Sequence, residues 1–113
     1  MNLDEYTLLK LENQMLLKDS IIDLATLMGH TTTEPISSHI FCLELDFTKE
    51  EHDKILLCLN LLSDKRKLKV KEIQKELIKT VPKIAELSNN TFNGMLKIFL
   101  KQFNINLKVP DLI

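Results

Sequence analysis

Two glycines and three prolines among 113 residues leave few places for tight hairpins, and tryptophan is absent. Sheets of short strands need such punctuation, so its scarcity favours helices. Two cysteines, Cys42 and Cys58, are too few to staple a secreted domain and form no C-x-x-C pair, so both read as small reduced hydrophobes. No apolar run nears the ~20 residues that cross a bilayer. The opening MNLDEYTLLK carries acids where a secretion signal needs cations. The expectation is a cytoplasmic chain with no membrane contact. Glycine-rich phosphate loops, HExxH and nucleophile elbows are also missing. No catalytic residue and no cofactor are therefore assigned, and the chain reads as a non-enzymatic protein.

What is present is an ordinary globular composition, 44% hydrophobic and 27% charged, which at this length makes residues 1–113 one domain. The punctuation predicts an all-α fold of about five helices in one compact multihelical bundle, with a long N-terminal helix and an extended C-terminal tail. The first helix runs from about Leu3 to Met28 and closes at Gly29. A second starts at Ser37 or Ser38, whose side chains can cap it. In FTKEEHDKI, Thr48 and Glu51 have capping-box spacing, and Ile55, Leu59 and Leu62 then recur as a core face, joined by Leu56 and Cys58. Val70, Ile73, Leu77 and Val81 repeat that pattern until Pro82 stops it. TFNGMLKIFLKQF puts Phe92, Met95, Phe99 and Phe103 on one stripe. The tail alternates Ile105, Leu107 and Val109, as an extended, docked arm would.

The first helix looks too long and too apolar for its domain. About 25 residues span roughly 38 Å, so part of it should overhang. Leu8, Leu11 and Met15 cluster on one side, whereas Leu17, Ile21, Leu24 and Met28 fall nearly opposite. Two stripes suggest two neighbours, its own core and another subunit. The alternative is a helix that breaks or is enclosed by its own chain. The preferred expectation is a homo-oligomer with Leu8, Leu11 and Met15 in the interface, leaving room for an unidentified protein partner.

His39 and Cys42, three apart, with His30 and His52, offer nitrogen and sulfur donors, but their spacing matches no zinc pattern, so no metal is assigned. His52 reads as an exposed first-turn residue, and Glu50, Glu51 and Asp53 as acids favoured near a helix start. The stretch DKRKLKVKEIQKELIKTVPK, residues 64–83, has eight cations and three acids. Lys65, Arg66, Lys67, Lys69 and Lys71 within the 65–79 basic segment make a nucleic-acid-binding transcriptional regulator the alternative function. Against it, the segment has no aromatic side chain and favours lysine over arginine. Residues 1–53 carry three cations and eleven acids, residues 54–113 twelve cations and five acids, and the whole chain sums to −1. The economical expectation pairs the lysines with acids such as Asp19, Asp23, Glu44 or Asp46, within one chain or across a subunit contact.

In order, LENQMLLKDSIIDL, LELDFTKEEHDKILLCLNLLSD, VKEIQKELI and TFNGMLKIFLKQF resemble the YhaI-like family of small helical proteins of Gram-positive bacteria, over roughly Leu11 to Phe103. Pro82 and the alternating tail fall outside that pattern. The resemblance implies an all-helical, oligomeric protein with no assigned activity and no catalytic motif to carry over. Taken together, the reading is a self-associating protein-protein interaction or regulatory module.

Overall fold

Capping chemistry sets where each helix begins and ends. The structure, a computed structural model, describes residues 3–64 and 67–112. Its helices are α1 (Leu3–Leu27), α2 (Ser38–Glu44), α3 (Lys49–Leu62), α4 (Val70–Thr80) and α5 (Asn89–Gln102), with a 3-10 turn at Pro82–Glu86 before α5. No strand occurs among the described residues. The fold is all-α.

α1 closes as expected: Gly29 adopts φ +99°, the His30 amide donates to the Ala25 carbonyl at 2.9 Å, and the Gly29 amide to Thr26 at 3.0 Å. That pair of bonds satisfies carbonyls the helix end would otherwise leave open. Ser37 caps α2 by accepting from the His39 and Ile40 amides. Thr48 and Glu51 form the reciprocal capping box at the start of α3. α4 ends before Pro82, which has no amide hydrogen to continue it, and the following 3-10 turn returns Ile84 to the core. Ser88 caps α5 through the Thr91 amide.

The core gathers the predicted faces of α3, α4 and α5. Ile55, Leu59, Ile73, Leu77, Phe92, Met95 and Phe99 are fully buried, and Phe41 joins them from α2. Val70 and Phe103, predicted on the same stripes, are half-buried at the margin. The tail docks as an arm. Ile105 and Leu107 are buried, the Leu68 amide donates to the Lys108 carbonyl at 3.1 Å, and Asp111 accepts the Val70 amide at 3.0 Å. A residue 41 positions away therefore caps the start of α4.

α1 rests chiefly on α2 and runs past it. The radius of gyration is 16.2 Å and the longest dimension 58 Å, whereas a compact chain of this length would have a radius of about 13 Å. The difference is the overhang that the helix length implied.

Candidate functional site

Only one side of the second half of α1 is held by the body. Ala25 is buried, Ile21, Ile22 and Lys18 are half-buried, and Lys18 Nζ donates to Asp46 Oδ1 at 2.6 Å. Stepping back by alternating threes and fours, Ala25, Ile22 and Lys18 continue into Met15, Leu11 and Leu8. The predicted interface stripe is thus an outward extension of the seam that holds α1 on its own core. Its three residues are 65%, 52% and 58% exposed. The opposite stripe behaves differently from a core face: Ile21 turns inward, but Leu17, Leu24 and Met28 are 62%, 62% and 74% exposed. Tyr6, Leu9, Leu16 and Leu27 lie exposed on the same broad side.

α1 therefore carries two solvent-facing apolar faces. Between them run an acidic edge with Glu12, Asp19 and Asp23 and a second polar edge with Lys10 and Gln14. Isolated exposed leucines need no explanation, but a contiguous apolar surface on one projecting element marks a contact site.

A second cluster joins α2 and α3, and it corrects the reading of His52 as an exposed first-turn residue. His52 is 2% exposed. It precedes Ile55, Leu59 and Leu62 by three, seven and ten residues, so it lies on the core face of α3. Its Nδ1 stands 3.0 Å from Asp53 Oδ1 and its Nε2 2.9 Å from Ser38 Oγ. Asp53 can only accept, so Nδ1 donates, and in the neutral ring Nε2 takes the Ser38 hydroxyl. Asp53 lies below the ordinary carboxylate range because Lys49, and after it His52, donate to it. The His39 ring stacks on His52 with centroids 4.2 Å apart, and its pKa is lowered by burial and then by His52 and Lys49.

A serine, histidine and aspartate in one hydrogen-bonded chain are the parts of an activated nucleophile. Here Ser38 is 0% exposed, and its amide is engaged by Gln102 Oε1 at 2.8 Å. A hydroxyl so enclosed cannot meet a substrate in this conformation, and the chain acts as a polar clamp between α2, α3 and α5. The adjoining cleft of about 170 Å³ is lined by His39, Cys42, Lys49 and His52. Burial, followed by Glu51 and Asp53, pushes the Cys42 thiol up to about 12, so it is neutral at physiological pH.

His30 forms a separate tie. Its ring is buried, its Nδ1 accepts the Ile36 amide at 3.3 Å, and its Nε2 donates to Glu44 Oε1 at 2.9 Å. The imidazole fastens the end of α1 to α2. Among the described residues, no three His, Cys, Asp or Glu side chains converge where a metal ion could sit.

The basic segment is placed in part. Lys65 and Arg66 lie outside the described residues, while Lys67, Lys69 and Lys71 are exposed. Among the described residues no ion pair joins those three lysines to the acidic half of the same chain. Asp46 is taken by Lys18, and Glu44 by His30. Lys83 makes a cross-half contact, donating to the Asp46 carbonyl and lying 5.1 Å over the Phe47 ring. The docked tail meanwhile sets the backbone of exposed Lys108 against that of Leu68, which lies between Lys67 and Lys69, a placement that sequence spacing alone could not reveal.

No protein-family model matches the chain, and neither a curated protein nor a solved structure matches it. Among the described residues no helix is long and apolar enough to cross a membrane.

Proposed function

We propose that this chain is a cytoplasmic, non-enzymatic interaction module that self-associates, with α1 as the assembly element. The observation that carries the reading is a projecting helix with apolar side chains exposed on two faces. Burying a leucine side chain contributes about 1.5–3 kcal/mol, so a partner that covers several of them has a large driving force. The enclosed Ser38 hydroxyl and the neutral Cys42 thiol fit a scaffold better than a reaction centre. The resemblance to the YhaI-like proteins points to the same helical, assembling kind of chain.

Leu11 and Leu16 provide the test because they lie on the two exposed apolar faces of α1. A charge placed in an apolar contact is costly, so aspartate on the face that makes the contact, Leu11→Asp or Leu16→Asp, is expected to weaken association by ~100-fold or more, equivalent to about 3 kcal/mol. Light scattering at tens of micromolar should give an oligomer for the parent and a monomer for that variant, both with native helical content. An oligomer for both variants, or a loss of helical signal that places the substituted leucine in the intrachain core, would contradict the reading.

One observation favours a second reading. Among the described residues Lys67, Lys69 and Lys71 make no ion pair with the acidic half, and exposed Lys108 is docked by its backbone beside Leu68, which favours a phosphate-binding surface there. A nucleic-acid-binding regulator using the 65–79 segment should retard DNA or RNA at low salt and lose it steeply as salt rises. No retardation at low salt removes this reading.

A further inference from the structure

The broad face of α1 has a definite geometry, and it allows the partner and its direction to be named. Leu9, Asn13, Leu16, Ser20, Leu24 and Leu27 follow one another at intervals of four, three, four, four and three. That averages the period of a straight α-helix, so the line stays on one side over its whole length. All six are exposed, and the seam holding α1 to its own body lies on the far side of the helix. The face is thus turned away from the body that holds α1.

We infer that this face pairs with the same face of a second copy, with the two α1 helices parallel and in register. The inference rests on the self-association proposed above and adds the face and the direction. Charge decides the direction. One edge of the line is acidic, with Glu12, Asp19 and Asp23, whereas the other carries Lys10, Leu17 and Met28. Parallel helices set unlike edges against each other, so the acids of one chain meet the lysine and apolar edge of its partner. Antiparallel helices would set acid against acid along the contact, which is repulsive. Asn13 and Ser20 reinforce the choice. In a parallel pair each meets its own copy across the axis, where an asparagine can satisfy its amide and fix register. Ser20 is small, and its hydroxyl is already bonded to the Leu16 carbonyl at 2.8 Å, so it permits close approach.

Cysteine cross-linking of the full chain tests both face and direction. In a Cys58→Ser background, Asn13→Cys, Ser20→Cys and Leu11→Cys are oxidised separately at tens of micromolar and resolved without reductant. The parallel pair brings equivalent residues near the ~7 Å Cα separation a disulfide tolerates. Both Asn13→Cys and Ser20→Cys should therefore form covalent dimers within minutes, and Leu11→Cys should lag at least tenfold. An antiparallel pair would let at most one of the two positions cross-link with itself, because they lie two turns apart, and would overturn the inference. Cross-linking confined to Leu11→Cys would overturn the choice of face while leaving self-association standing. A monomer mass for the background protein would remove the underlying reading as well.

Discussion

Gly94 illustrates how a single position couples two parts of the body. A Cβ built there would stand 2.4 Å from the Thr33 carbonyl oxygen, so α5 and the segment after α1 touch backbone to backbone. Gly94→Ala must push one of them aside, and overpacking of this kind costs about 1–3 kcal/mol. Urea denaturation should register that loss, and an unchanged midpoint would mean that the Thr33 segment yields freely. Cys42 makes a pH prediction. Its thiol is raised from 9.0 to about 12 in the folded protein. Folding therefore holds the neutral form: this contribution is fully present below about pH 9 and is lost as pH climbs toward 12. Thermal melts from pH 8 to 10.5 should fall more steeply for the parent than for Cys42→Ala, and equal slopes would contradict the burial. His52 teaches a different lesson at this scale. Its periodicity with Ile55, Leu59 and Leu62 was legible, but a search for apolar repeats passes over histidine, and its partner Ser38 becomes visible only when α2 packs on α3.

Elements whose signals are local were the readable ones. Thr48 and Glu51 cap within one turn, Gly29 ends α1 by its own backbone freedom, and Pro82 stops α4 by lacking a hydrogen. Each depends on chemistry within four residues, so the helix order followed from sequence. The tail did not yield so readily. Alternation of Ile105, Leu107 and Val109 indicated an extended arm, but its docking place depends on the Leu68–Lys108 bond and on Asp111 reaching Val70, contacts about 40 residues apart. The two stripes of α1 were also legible, whereas their division of labour was not. Leu17, Leu24 and Met28 have the composition of a core face, and only the position of α2 determines that Ala25 and Ile22 fill that role.

The whole molecule is a packed body of α2–α5 with a projecting apolar arm. Its opposite charges do not cancel by pairing Lys67, Lys69 and Lys71 with Asp46 or Glu44 of the same chain, so the electrostatic balance leaves a basic surface on the body and acids along α1. In the proposed assembly α1 is covered by another copy. A helix of about 15 residues standing alone in water is marginal, so its amides would exchange readily if nothing packed on it. Native-state hydrogen exchange across residues 5–17 therefore reads that cover directly. Packing by a second copy predicts slow exchange there at tens of micromolar, accelerating on dilution into the nanomolar range while α3–α5 stay protected. Exchange near unfolded-chain rates at high concentration, with the body still protected, would contradict it.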